Sequence, residues 1–402
     1  MPDSPYPRPA VAALAAFVFV AFGVQLYSMS VLLTEQAAGG VFSIAVLSTA
    51  FGGSVVIAGL LAPRVGRWAD DHSIRELMVF GSALGAAAML IMAWTDSSWV
   101  VVAAFWLLLG PAQAMTLYEP AFVAVGLWVG DYHRNKAIAL LILIGGFAGP
   151  VFLPITGFSV EELGWRPTAV WLGALLLATG LIVSLLMLPK GKPITQRTAP
   201  LPKVRWSRFL HDRRLTFVTI SVVLLFASMN SMLFHRVAVF EEHGFEIGYV
   251  ALLAGISGLF TFPGRFFAPR MSSHLKPTTL FTASSVGLVG SMLLAIVGTP
   301  AWVMVGHFVF YGIFFGFTLP LRAVIMNDWY AGHDYGSVMG KQWAVAAIAG
   351  GLAPWMVGAA RDATGSYTWP LVAITVAVAL AAVANALSAA QHTASNQIAN
   401  ND

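Results

Sequence analysis

Long apolar runs separated by short polar segments dominate this chain. A membrane-spanning helix needs about 20 mostly apolar residues, and twelve runs approach or exceed that length. Several contain Gly or Pro, which membrane helices tolerate when neighbouring helices or water satisfy the freed backbone groups. The pattern predicts an all-α membrane protein with twelve spans, at residues 10–33, 41–62, 77–94, 99–129, 137–157, 167–188, 215–240, 247–269, 278–298, 301–327, 338–360 and 369–390.

The two halves of the chain repeat a pattern of Pro, Trp and Gly at an offset of about 200 residues. Chance recurrence of Gly and Pro is the alternative, but agreement at four points favours duplication, as in transporters built from two parallel repeats. We predict a six-helix half at 1–188, a linker at 189–214 and a second six-helix half at 215–402. The matching positions are Pro120, Trp128, Gly145-Gly146 and Pro150 in the first half and Pro320, Trp329, Gly350-Gly351 and Pro354 in the second.

Basic residues are divided unequally between the two sides of the predicted spans. Of the 22 Lys and Arg residues, we assign eighteen to one side, eight of them in the linker, and only Arg166 and Arg361 to the other. Basic loops stay in the cytoplasm. The sequence therefore predicts a protein of the cytoplasmic (inner) membrane with both termini in the cytoplasm.

Composition restricts the function. The chain is 58% hydrophobic and 10% charged, with a mean hydropathy of +0.78, whereas soluble domains average about 25% charged residues. It has no cysteine, and neither a nucleotide-binding P-loop nor a His-Glu-x-x-His metal motif occurs. We therefore expect no enzymatic activity, no cofactor or metal and no nucleic-acid partner.

Two charges, Glu119 and Arg322, lie inside long apolar runs next to Pro120 and near Pro320. A charge at bilayer depth is costly and is rarely kept without a polar partner, a water-filled cavity or a task. A carboxyl group there can carry a proton, and the planar Arg fork suits a carboxylate. A permanent ion pair between the two, a static partner for each, or snorkelling of the Arg are the structural alternatives. We expect both to face one cavity.

Other polar and aromatic residues inside the runs are candidate ligands of a substrate. Histidine is the residue type whose ordinary pKa lies nearest physiological pH, so His235 is a candidate for proton coupling, although a hydrogen-bonded structural role is the alternative. The amides either join helices or line a cavity, and the aromatics either stack on a substrate or pack. With Arg322 and Glu119, the predicted substrate-binding set is Tyr118, Gln25, Asn230, His235, Arg236 and Tyr311; His307, Asn327, Gln342, Tyr27 and Trp343 are further polar or aromatic positions.

The loop between the second and third runs carries Gly66, Arg67, Asp70 and Arg75. This loop resembles the Gly-x-x-x-Asp motif, followed by Arg, of the major facilitator superfamily. The chain resembles this family over nearly its whole length. It implies two pseudo-symmetric six-helix halves that work by alternating access. It also implies that Gly66, Asp70 and Arg75 close the inner gate.

A finer resemblance is to the monocarboxylate-porter-like branch, which implies a carboxylate cargo moved with a proton. The sequence departs from the pattern of that branch in its first helix, at Gly23 to Tyr27, and at His133, where the branch has Phe. The matching residues are Pro120, Tyr132, Arg134, Lys136, Gly145, Gly146, Gly149 and His235.

A rival resemblance is to drug/proton antiporters. Gly145-x-x-x-Gly149-Pro150 is similar to their fifth-helix motif, but Leu153 and Pro154 replace its last two glycines. Close helix packing is the structural alternative for this spacing; as candidate gating residues we name Gly145, Gly149 and Pro150.

The expected function is secondary transport of a small monocarboxylate-like organic anion, coupled to protons. The alternative is a proton-driven exporter of drugs or amphipathic metabolites. The expected partners are a small-molecule substrate, protons and the lipid bilayer, and we expect a monomer.

Overall fold

The computed structural model describes residues 8–71, 73–129, 131–188, 208–272, 274–330 and 335–401. Of the predicted site residues, the side chains of Gly66, Asp70 and Glu119 lie outside the described part, as do residues 189–207 of the predicted linker.

Twelve helices in the described ranges are long and apolar enough to cross a membrane, which confirms the predicted number and the all-helical fold class. Three π-helical turns and three one-residue breaks, at Leu117, Phe147 and Phe260, are counted inside their helices. The helices are α1 (Arg8–Ala38), α2 (Ile44–Asp71), α3 (Ile74–Trp94), α4 (98–128), α5 (131–163), α6 (Trp165–Met187), α7 (Arg213–Glu242), α8 (247–271), α9 (Pro277–Val297), α10 (Ala301–Tyr330), α11 (Tyr335–Thr364) and α12 (Thr368–Asn401).

Several helices depart from regular α geometry at points that the sequence pattern does not mark. A π-helical turn interrupts α1 at Gly23–Tyr27, α4 at Phe105–Leu109 and α6 at Val183–Met187. Helix α4 also breaks at Leu117, directly before Tyr118. Each such turn rotates the face of the helix that follows it, and π-turns are often found at functional sites.

The described chain forms two compact units. The first comprises the described residues up to 188 with Leu233–Glu241 and Phe245–Gly255, and the second comprises the other described residues. Most of the C-terminal third of α7 and the beginning of α8 therefore belong to the first unit. The division of the chain at the basic linker stays a prediction.

In the first unit, α1 packs on α5, α3 packs on α6 and α2 packs on α4. Leu14, Phe17, Met78 and Leu141 are fully buried in its core. Packing of such side chains between helices holds membrane spans together.

In the second unit, α9 packs on α10 and α12, and α8 packs on α10. Glycines bring α8 and α10 close together: a Cβ at Gly312 would lie 2.3 Å from the Ser257 carbonyl oxygen, and a Cβ at Gly264 would lie 2.7 Å from the Gly316 carbonyl carbon. Small residues that allow backbones to approach are a common way of joining membrane helices. This contact holds α10, and with it Arg322, against α8.

Candidate functional site

Arg322 lies in the second half of α10 and is only 7% exposed. Its Nε donates to the Gln342 side-chain oxygen of α11 at 2.7 Å, and its Nη2 lies 3.5 Å from the Met339 carbonyl oxygen. The guanidinium is therefore held at the contact of α10 with α11. Its described contacts are with Gln342 and Met339 of α11, and its part in substrate binding stays a prediction.

Gln342 passes the constraint on to a third helix. Its Nε2 donates to the Thr219 hydroxyl of α7 at 3.2 Å and lies 3.7 Å from the Met326 sulfur. Since the amide nitrogen is engaged there, its oxygen is left to face Arg322. The chain Thr219–Gln342–Arg322 thus fixes the orientation of a buried positive charge.

One ring of an aromatic pair lies beside this charge. The Arg322 guanidinium carbon lies 5.2 Å from the centroid of the Trp343 ring. Phe226 of α7 meets Trp343 with centroids 4.6 Å apart and planes inclined by 57°. A Cβ at Gly350 would lie 2.7 Å from the Phe226 ring, so Gly350 lets that ring approach α11. The predicted candidate Asn230 lies beside it and donates from Nδ2 to the Phe226 carbonyl at 2.9 Å.

Tyr311, a further predicted ligand, is 3% exposed on α10. Its hydroxyl donates to the Met229 carbonyl of α7 at 3.1 Å. His307, one turn earlier, lies 3.0 Å from the Ser291 hydroxyl of α9 through Nδ1. Both side chains join α10 to a neighbouring helix in this conformation, and the part of Tyr311 in substrate binding stays a prediction.

Gln25 lies in the π-turn of α1 and is fully buried within the first unit. Its Nε2 donates to the Thr116 hydroxyl of α4 at 2.7 Å, and Gln113 donates to the Gln25 carbonyl oxygen at 3.2 Å. The contact joins helices, which is one of the two alternatives for this amide.

The fifth-helix glycines face tyrosine rings. A Cβ at Gly145 would lie 2.5 Å from the Tyr118 hydroxyl, and a Cβ at Gly149 would lie 2.9 Å from the Tyr27 ring. Helix α5 is interrupted between Gly146 and Ala148. These approaches give the two glycines a packing reason. The gating role of both glycines and of Pro150 stays a prediction.

His235 and Arg236 are buried in the C-terminal part of α7, which belongs to the first unit. His235 Nε2 lies 3.5 Å from the Ser48 hydroxyl of α2. Ser30 of α1 donates to the Phe234 carbonyl at 2.7 Å, and Phe51 stacks on Phe234. The histidine therefore sits in a packed contact with α2, and its part in proton coupling stays a prediction.

Arg75 begins α3 and donates from Nη2 to the Leu188 carbonyl at the end of α6. An Arg at a helix C-terminus satisfies a carbonyl that has no intrahelical donor and complements the helix dipole. This contact lies inside the first unit. The predicted partners Gly66 and Asp70, and the candidate proton carrier Glu119, have side chains outside the described part, so the inner-gate and proton assignments stay predictions.

Asp212 is the single acidic residue of the predicted linker 189–214, and its side chain makes specific contacts. It accepts from the backbone N–H groups of Arg214 and Leu215 at the start of α7 and from the Tyr330 hydroxyl at 2.7 Å. Burial raises the pKa of Asp212, but the Tyr330 hydrogen bond, the Leu215 N–H and Arg214 outweigh it, so its pKa lies below the usual value.

Sequence reasoning did not find Thr219, Gln113 or Thr116. Hydroxyls and amides in apolar runs carry no signal of which helix they face, because the partner is chosen by packing. Among the described residues, no group of three or more His, Asp or Glu side chains comes together in a way that could hold a metal ion.

Comparison with known proteins gives a family. Residues 11–354 match the sequence model described as Major Facilitator Superfamily. An uncharacterised MFS-type transporter, YcxA of Bacillus subtilis, is 22% identical over 341 residues, which is 82% of each chain. The inner membrane transport protein YajR of Escherichia coli is 23% identical over 75% of this chain and 65% of its own.

Solved structures share the fold at low identity. The nucleoside transporter NupG has a TM-score of 0.78 at 15% identity and covers 95% of this chain and 99% of its own. A D-xylose-proton symporter has a TM-score of 0.72 at 14% identity, covering 95% of this chain and 97% of its own. Twelve spans, this fold and a family match over most of the sequence lead to one conclusion: the chain is a multi-pass membrane protein and belongs to the Major Facilitator Superfamily of transporters.

Proposed function

We propose that this chain is a secondary transporter of the inner membrane that moves a small, monocarboxylate-like organic anion together with a proton by alternating access. The observation that carries the proposal is Arg322, a permanent charge that is only 7% exposed and donates to Gln342, whose amide nitrogen in turn donates to Thr219. A buried charge is expensive, so its retention in an apolar helix favours a task. A small carboxylate is the anion whose geometry the guanidinium matches.

Preorganisation supports this assignment. Binding is weakened by the entropy of ordering side chains, and the Thr219–Gln342–Arg322 chain already restricts the guanidinium. A carboxylate docked on a desolvated Arg makes charge-assisted hydrogen bonds, which are about twice as strong as neutral ones.

Proton coupling is assigned to Glu119 on its sequence position, inside an apolar run and directly before Pro120. A carboxyl group protonated with each inward step would offset the negative charge of the cargo. The cycle would then move a neutral sum of charges.

An exporter of drugs or amphipathic metabolites is the second candidate. The observation that favours it is an aromatic group in the first unit, in which Tyr118 packs on Phe22 at 4.4 Å and stacks on Phe122 at 5.2 Å. An exporter that binds cations there would tolerate loss of Arg322, whereas an anion transporter would not.

The test is uptake and counterflow of radiolabelled carboxylates in proteoliposomes. Arg322→Ala and Arg322→Lys should both lose binding, because a point charge lacks the planar fork; the loss should be on the order of 2–5 kcal/mol. Arg166→Lys is the matched control, since Arg166 forms an ion pair with Asp96 in which both side chains are more than 40% exposed. Carboxylate binding by Arg322→Ala equal to that of the unmodified protein would overturn the anion site.

Orientation is proposed from the basic residues alone. A reporter that is active only in the cytoplasm, fused at Gly191 of the linker, should be active. Activity only of a periplasmic reporter at the same position would reverse the proposed topology.

A further inference from the structure

Helix α11 exposes two different faces. Its exposed apolar stripe consists of Val345, Ile348, Leu352 and Met356, which are 37%, 45%, 46% and 61% exposed. These positions recur at helical spacing, as expected of a surface that faces lipid. Trp343 is also 37% exposed, and its place on the helix is different.

An α-helix turns by about 100° per residue. Trp343 precedes Val345 by two residues, so it lies about 160° from that stripe around the helix axis. Gly350, seven residues further on, shares the Trp343 face, and its side approaches Phe226 and Asn230 of α7. The exposed part of the indole is therefore on the face of α11 turned towards α7 and away from the lipid stripe.

The exposed indole lies beside the buried charge. The Arg322 guanidinium carbon is 5.2 Å from the ring centroid, and Phe226 meets the same ring at 57°. Arg322 of α10 and Phe226 of α7 thus both adjoin the ring of Trp343 of α11, and we call these three groups the α7–α11 corner. Aromatic pairs prefer inclined or offset-stacked geometry, so a third ring can stack on the open part of Trp343 with its edge towards Phe226.

We propose that the anion bound at this corner is an aromatic carboxylate, with its carboxylate on Arg322 and its ring stacked on Trp343. The inference rests on the proposed anion function and narrows its substrate class. A short aliphatic acid uses Arg322 and leaves the exposed part of the indole uncovered. A benzoate-sized acid uses both, because its ring begins one bond from the carboxylate and the indole lies directly beside the guanidinium.

The discriminating ligand pair is benzoate and cyclohexanecarboxylate. The two are similar in size and charge, and the saturated ring is the more hydrophobic, so simple burial favours cyclohexanecarboxylate while stacking favours benzoate. Acetate reports the charge alone, and benzamide reports the ring without the charge. Binding is measured on the purified full-length protein by calorimetry and by thermal shift, since ligands stabilise the folded state by mass action.

The expected result is a dissociation constant for benzoate about three- to tenfold lower than for cyclohexanecarboxylate, with benzamide weak. Trp343→Leu should remove this preference while keeping acetate binding, and Trp343→Phe should keep most of it. Trp355→Leu is the matched control, since Trp355 is 45% exposed beside the lipid stripe of the same helix; it should leave the preference unchanged.

Two results would overturn the inference: equal or weaker binding of benzoate than of cyclohexanecarboxylate in the unmodified protein, or a preference that survives in Trp343→Leu. The first needs no variant, so it decides the question even where Trp343→Leu fails to fold. Equal binding of all carboxylates would reject only the aromatic class. Binding of none would reject the anion function as well.

Discussion

Each unit buries a side-chain amide that contacts a threonine hydroxyl, and the two amides do different things. In the first unit, Gln25 donates to Thr116, and the contact is neutral. In the second, Gln342 donates to Thr219 and accepts from Arg322, so the same pair of groups positions a charge. The role of a polar side chain in an apolar helix therefore depends on the group that it contacts more than on its own residue type.

The helices that carry these groups differ in the same way. Gln25 lies in a π-turn and packs within its own unit. A Cβ added at Gly85 of α3 would lie 3.7 Å from the Gln25 amide carbon. Arg322 stands in an uninterrupted helix, next to a tryptophan that is partly exposed. We therefore expect the neutral contact of Gln25 to stabilise the folded protein, and the charge of Arg322 beside the partly exposed Trp343 ring to bind a ligand.

The first variant tests whether the first unit carries the proton while the second unit binds the anion, and it should have the strongest effect. Glu119→Gln in the first unit should abolish proton-driven uptake, because the amide cannot carry a proton, and should leave counterflow exchange, which needs no net proton transfer. The measurement is uptake under a pH gradient beside exchange at equal pH, in the same proteoliposomes. Parallel loss of both activities in a folded variant would assign Glu119 to substrate binding instead.

The paired amides give the next contrast. Gln342→Leu removes a hydrogen bond to a charged group, worth about 1.5–3 kcal/mol, and should raise the KM for the anion roughly 10- to 100-fold. Gln25→Leu should leave the KM unchanged, because Thr116 still donates to the Ala112 carbonyl at 2.7 Å.

Transport kinetics with thermal stability of both variants check this contrast. An unchanged KM in Gln342→Leu would show that the amide does not position Arg322. A raised KM in Gln25→Leu would move the binding site into the first unit.

Glycines in the two units offer a smaller contrast. Gly350→Ala places a Cβ 2.7 Å from the Phe226 ring, and Gly149→Ala places one 2.9 Å from the Tyr27 ring. Overpacking of this kind costs about 1–3 kcal/mol. Displacement of Phe226 should weaken ligand binding, whereas displacement of Tyr27 should lower thermal stability without changing affinity.

Gly290→Ala is the control for both, since an added Cβ there meets nothing within 4 Å and Ala favours a helix over Gly. Calorimetry of the bound anion with melting temperatures separates the two outcomes. Equal loss of affinity in both test variants would contradict the assignment of the ligand to the α7–α11 corner.

The smallest effect concerns pH at the start of α7. The pKa of Asp212 is lowered in the folded state, so its contribution to stability is present above the pKa of the unfolded chain and is lost as the pH falls through the folded pKa. Tyr330→Phe removes the hydroxyl that donates to it. The melting temperature should therefore fall at pH 7, and the difference from the unmodified protein should shrink towards pH 3. A difference that grew on acidification would contradict the hydrogen bond to a carboxylate.

The lengths of the apolar runs are enough to predict the twelve spans, because about 20 apolar residues cross the bilayer core as a helix that satisfies its own backbone groups. It also placed Arg322 inside a membrane helix, since a charge is conspicuous in an apolar run. The family resemblance followed from the loop at Gly66 to Arg75 and from the number of spans, and the family match agrees with it.

Which polar groups contact each other depends on how the helices pack, and the apolar runs do not encode it. The π-turns of α1, α4 and α6 rotate side chains by amounts that local periodicity does not encode, and the choice of Thr219 as the partner of Gln342 depends on how α7 packs on α11. Apolar helices have no polar face to fix their rotation. The facing residues are therefore set by side-chain packing across the whole unit, of which the contact of Gly350 with Phe226 is one example.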